Sequence, residues 1–119
     1  MIKKYGTVSL WVDDFESCLY FYEDVMRLDL ITRPGEVPHF RVGESMLVLV
    51  KGIFCPPDGA FPPDFPQLSF EVDNLDEVVS YLKDRGVDVI GNIEERRDSR
   101  WIKLHDPAGN LIAVVEVKS

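Results

Sequence analysis

Cysteine, histidine and positive charge are all scarce in this sequence. The two cysteines, Cys18 and Cys55, are too few and too far apart to build a disulfide framework or a zinc knuckle. Lys and Arg number 13 against 21 Asp and Glu, which leaves a formal net charge of -8 and a pI near 4.6. Phosphate backbones are bound by Lys and Arg, so this balance excludes nucleic acid as an expected partner. Long apolar runs are missing too. The longest, about Met46 to Val50, falls far short of the roughly 20 residues that a membrane span needs. No apolar leader with a small-residue cleavage site opens the sequence, so a cytoplasmic location is expected. No Gly-rich phosphate loop precedes a helix, and no Gly-x-Ser-x-Gly elbow occurs.

What is present is a repeat. Thr7-Val8-Ser9-Leu10-Trp11-Val12-Asp13-Asp14-Phe15 reads like Gln67-Leu68-Ser69-Phe70-Glu71-Val72-Asp73-Asn74-Leu75, from position 7 to position 67. Each copy alternates with period two, which predicts a strand. Val8, Leu10 and Val12 form one face, and Thr7, Ser9 and Trp11 the other. In the second copy Leu68, Phe70 and Val72 oppose Gln67, Ser69 and Glu71. The apolar face should pack on a helix, and the mixed face should look at solvent or a cavity.

Helical spacing follows each copy. Phe15, Cys18, Leu19, Tyr22, Val25 and Met26 form one stripe, and Leu75, Val78, Val79 and Leu82 another. Asp13 or Asp14 can cap the first helix; Asn74 with Glu77 has the spacing of a capping box. Gly86 is placed to end the second helix. Cys18 on the stripe reads as a buried free thiol. Strands are then expected at Leu30–Arg33, His39–Val42 and Met46–Lys51 in one half. The other half has Val87–Ile90, Trp101–His105 and Leu111–Val117. Cys55–Pro66 holds five of the eight prolines and should act as a semi-rigid connector. The chain is expected to be one domain, 1–119, with modules at about 5–54 and 67–118 joined by a linker at about 55–66.

These residues carry a family resemblance. Val8-Ser9-Leu10-Trp11-Val12-Asp13-Asp14, the Val72-Asp73-Asn74-Leu75 and Arg85-Gly86-Val87 segments, and the closing His105-Asp106-Pro107-Ala108-Gly109-Asn110-Leu111-Ile112 resemble the glyoxalase/bleomycin-resistance/extradiol-dioxygenase (vicinal-oxygen-chelate) superfamily. The resemblance implies an α+β fold of two βαβββ modules forming a curved, barrel-like mixed sheet, with helices on the convex side and a ligand cavity on the concave side. It also implies that a homodimer is the expected assembly. The activities it implies range from glyoxalase, epimerase and dioxygenase chemistry to antibiotic sequestration, and fold does not choose among them.

Enzymes of that superfamily hold a divalent metal through a His on the first strand of each half and a Glu on the last strand. The matching positions here are Thr7, Gln67 and Ala113, and a further carboxylate position falls near Val48. None is a strong metal ligand, so no metal and no cofactor are expected. A displaced site would need His39, His105 and Glu71 to converge. The resemblance places Thr7, Ser9, Trp11, Val48, Gln67, Ser69, Glu71, Trp101, Lys103 and Ala113 around a ligand, together with Met46, Val50, Leu111 and Val115. Trp11 and Trp101 would stack on a flat or cationic compound, or fill a core or a dimer interface. Glu71 would meet a cationic group or pair with Lys103. Phe54, Phe61 and Phe65 would cover the mouth or anchor their loop. Glu94-Glu95 and Arg96-Arg97 read as a solvated turn. The leading expectation is a metal-free protein that binds a small hydrophobic or aromatic compound, including a cationic one, for sequestration, resistance or sensing. The alternatives are a lyase, isomerase or dioxygenase-like enzyme with a displaced metal or a metal-free acid/base site at Glu71, His39, His105 or Lys103, and an interaction module whose cavity has lost its function.

Overall fold

A computed structural model describes residues 1–3, 6–32, 35–52 and 66–118. The expected connector lies outside them except for Pro66, as do Cys55, Phe54, Phe61 and Phe65. The chain divides into two units, Met1–Gly59 and Ala60–Ser119. Each carries the order β-α-β-β-β, the α+β class that the repeat led us to expect.

In the first unit, β1 (Thr7–Val12) leads into α1 (Phe15–Leu19), then β2 (Asp29–Leu30), β3 (His39–Val42) and β4 (Ser45–Lys51). The sheet order is β1-β4-β3-β2. β1 runs parallel to β4, and the other pairs are antiparallel. Alternation sends Leu10, Val12, Leu47, Leu49 and Phe40 to one face, where all are buried. Tyr22 reaches that layer with its ring 6.0 Å from Phe40 and is itself fully buried. Burying each such side chain contributes about 1.5–3 kcal/mol.

The first helix departs from the expected stripe. After Leu19 it continues as a π-helical segment, Tyr20–Val25, closed by Met26 N–H donating to the Phe21 carbonyl at 2.8 Å. The wider turn rotates the inward face. Phe21 becomes buried beside Tyr22, with ring centroids 5.0 Å apart, edge to face. Leu19, which 3.6-residue spacing placed inward, is only half-buried. Cys18 is fully buried. Asp14 caps the helix by accepting from the Glu16 N–H at 3.0 Å and the Ser17 hydroxyl at 2.7 Å. The Ser17 hydroxyl bond is the main reason that the Asp14 carboxyl sits below its ordinary pKa.

The second unit comprises β5 (Leu68–Glu71), α2 (Leu75–Asp84), β6 (Val89–Glu95), β7 (Ser99–His105) and β8 (Leu111–Val117). Its sheet order is β5-β8-β7-β6, with β5 parallel to β8. Leu75 and Leu82 of α2 are buried, as are Ile102, Leu104, Ile112 and Val114 on one sheet face. Asn74 accepts from the Glu77 N–H at 3.1 Å, the capping bond that the spacing predicts. Gly86, at φ +78, ends α2 with a Schellman pair, Val87 N–H to the Leu82 carbonyl and Gly86 N–H to the Lys83 carbonyl. Glu116 ties the helix to the sheet: its carboxylate accepts from the Leu75 N–H at 2.8 Å and from Arg100 Nε at 3.2 Å. Asp106 holds the β7–β8 turn by accepting from the Ala108 and Asn110 N–H groups and the Asn110 amide.

β2 is Asp29–Leu30 rather than Leu30–Arg33, β7 begins at Ser99 rather than Trp101, and β6 departs furthest from expectation. β6 runs to Glu95 rather than ending at Ile90, because its pairing with β7 resumes at Glu94↔Trp101 after an irregularity between Ile90 and Glu94. Gly91, at φ +66, supplies the backbone conformation that such a bulge requires. Among the described residues, no helix is long and apolar enough to cross a membrane.

Candidate functional site

The register fixes which side chains share the mixed face of each sheet. In the first unit, Thr7 faces Met46 and Arg41 in one row, and Ser9 faces Val48 and His39 in the next. Trp11 and Val50 complete the face at the far end. Thr7, Ser9 and Trp11 are exposed, whereas Val48 in the central strand is buried. The Trp11 indole lies against Gly52, where a Cβ would come within 2.0 Å of the ring. His39 Nδ1 stands 2.6 Å from the Val37 carbonyl. A carbonyl only accepts, so Nδ1 carries the proton.

In the second unit, Ser69, Ala113, Lys103 and Ile90 make one row of the mixed face, and Glu71, Val115, Trp101 and Glu94 the next. Gln67 lies beyond the first row and accepts from the Leu111 N–H at 3.2 Å. An open hollow of about 410 Å³ sits on this face, with Ala113 and Val115 as apolar floor and Ser69, Trp101 and Lys103 among its walls. Five of the residues expected around a ligand therefore meet at one hollow: Ser69, Trp101, Lys103, Ala113 and Val115. Gln67 and Glu71 share the sheet face but not the lining.

Glu94 and Arg96 also line the hollow while staying exposed, so the solvated-turn reading holds and the turn adds to the hollow's rim. The reason is the extension of β6, which carries Glu94 opposite Trp101. Trp101 Nε1 donates to Glu94 at 2.9 Å. Lys103 pairs with the same carboxylate oxygen at 3.6 Å, so its partner is Glu94 rather than Glu71. The Arg96 guanidinium stands over the Trp101 ring, 5.7 Å from its centroid. A half-buried indole N–H needs an acceptor, and that demand is the one signal in the sequence that could have drawn attention to Glu94. The arrangement is an aromatic wall with a cation over its face. Neither Ser69 nor Ser99 hydrogen-bonds a base through its hydroxyl among the described residues, so no nucleophile–base pair is assembled at the hollow.

The comparisons with known proteins bear on the fold. The family model "Glyoxalase/Bleomycin resistance protein/Dioxygenase superfamily" matches residues 4–114. The chain belongs to that superfamily. Among solved structures, it is similar to TnmS3, an antibiotic binding protein from Streptomyces sp. CB03234, at 26% identity and a TM-score of 0.79, covering 98% of each chain. It is similar to lactoylglutathione lyase from Agrobacterium tumefaciens at 23% identity and a TM-score of 0.76, covering 97% of this chain and 94% of that one. It is also similar to a glyoxalase/dioxygenase from Nostoc punctiforme at 20% identity and a TM-score of 0.79, covering 98% and 92%. No curated protein matches the sequence.

The donors at the superfamily's metal positions are weak or missing. Thr7 offers a neutral hydroxyl and Ala113 no donor at all. The Gln67 side-chain oxygen is already engaged by the Leu111 N–H. These three do not fit a divalent metal. The displaced set fares no better within the second unit. Glu71 sits in the row of Trp101, and His105 lies four residues further along β7. At about 3.3 Å per residue, that separates them by roughly 13 Å along the strands. Among the described residues, no group of three or more His, Cys, Asp or Glu is placed to hold a metal ion.

Proposed function

We propose that this member of the superfamily binds a small hydrophobic or aromatic compound on its mixed sheet face without a metal, in a sequestering or resistance role. One observation carries the reading. Ala113, which occupies the position of the superfamily's metal-binding Glu, forms the floor of the Trp101 hollow. An apolar surface stands where an enzyme of this fold would present a charged ligand. The volume lies in the range of small-molecule sites, roughly 300–1,000 Å³. The likeness to TnmS3, an antibiotic-binding protein, supports a binding role.

The test is a screen of aromatic compounds by intrinsic tryptophan emission on the wild type, each saturable quencher then being titrated calorimetrically into the wild type and into Trp101→Phe. Saturable binding that weakens severalfold in the variant is the expected result. A library that yields no saturable binder, or binders indifferent to Trp101, would remove the hollow from the account.

A further inference from the structure

Among the cations that pair on the second sheet, Arg100, Lys103 and Lys118 each have a carboxylate within ion-pair distance. Arg96 has none among the described residues, and its one recorded side-chain contact is the Trp101 ring. The ring attracts the guanidinium through its charge, and none of the Arg96 guanidinium N–H donors is engaged in a hydrogen bond among the described residues, so the fork stays open. An open guanidinium fork beside an aromatic wall can take a carboxylate through two parallel hydrogen bonds.

The charges around it point the same way. Two cations, Arg96 and Lys103, line the hollow against one carboxylate, Glu94. Glu94 is already committed to the Trp101 N–H and to Lys103. Glu71, in the row of Trp101 but two strands away, is not part of the lining. An incoming amine would find no uncommitted acid in the hollow, whereas an incoming acid would find Arg96.

Building on the binding role argued above, we propose that the hollow selects planar aromatic compounds that carry a carboxylate, with Arg96 as the residue that recognises the acid. The ring rests against Trp101 and the floor of Ala113 and Val115, and the carboxylate meets the Arg96 fork. A net charge of -8 favours cations at long range, but the local lining rather than the total charge sets the potential in a hollow.

The experiment compares naphthoate, naphthamide and naphthylmethylammonium by calorimetric titration into the full chain and into Arg96→Gln. Arg96 is exposed, and a circular dichroism melt confirms that the variant folds. Naphthoate should bind about tenfold more tightly than the amide, as one charge-assisted bidentate contact implies, and the amine most weakly. Arg96→Gln should bring naphthoate down to the affinity of the amide while leaving the amide within about twofold, since the lost interaction is the charge-assisted one. If the amide and the amine bind as tightly as naphthoate, or if the preference for naphthoate survives in Arg96→Gln, the acid-recognition proposal is overturned and the aromatic hollow stands. If none of the three binds, both fall.

Discussion

Trp11 and Trp101 occupy the mixed faces of the two sheets, yet they are held differently. Trp101 is fastened at its N–H by Glu94 and on its face by Arg96. Trp11 is about half exposed, at 52%, and rests against Gly52. A methyl group at position 52 cannot coexist with that ring position. Gly52→Ala should push the indole outward and shift the tryptophan emission to longer wavelength, with a small change in stability because the ring already has solvent to move into. An unchanged spectrum would contradict the packing. Glu116 is a different case, since its carboxylate serves two donors at once. Glu116→Ala should cost about 1–3 kcal/mol by leaving the Leu75 N–H and Arg100 Nε without this acceptor, and urea unfolding reads the loss directly. At this scale the sequence was legible where chemistry is local. Asp14, Asn74, Gly86 and Asp106 all do what their types and spacing imply. It was illegible for Glu94 and Arg96, whose role depends on a strand partner fixed by a bulge.

The strands show the same division among elements. Alternation located His39–Val42 and Leu111–Val117 to the residue, because two-residue periodicity is strong when one face is buried. It ended β6 too early because Gly91 and the irregular pairing break the pattern before Glu94 restores it. The first helix was found but not its π-helical continuation, since Phe21, Tyr22 and Val25 are apolar enough to satisfy either spacing. Helix termini carry two predictions. Asn74→Ala should cost about 1 kcal/mol and lower the melting temperature by a few degrees. Asp14 has a folded pKa below its ordinary value. Its contribution is therefore complete above the unfolded pKa and is lost as pH falls through the folded one. Melts taken from neutral pH down past the ordinary carboxylate range should show a shallower acid decline for Asp14→Asn than for the wild type. Parallel curves would contradict the cap.

Over the whole molecule, the repeat and the closing Asp106-Pro107-Ala108-Gly109-Asn110 turn were enough to place the chain in its superfamily, and the family match over residues 4–114 agrees. The candidate face was legible only in part. Period-two alternation assigned Ser69 to the mixed side of its strand and the family resemblance added Trp101, Lys103 and Ala113, but neither reports which residues of that side enclose a hollow. Gln67 and Glu71 share the side and stand apart from the hollow. The central claim is that the hollow works without a metal, because the superfamily's ligand positions hold Thr7, Gln67 and Ala113. Calorimetric titration of the tightest aromatic binder into chelator-dialysed protein, repeated after adding Zn, Mn, Fe or Ni, tests it most directly. The account predicts saturable one-to-one binding with the same Kd in every case. Binding that appears only once a metal is restored would contradict it.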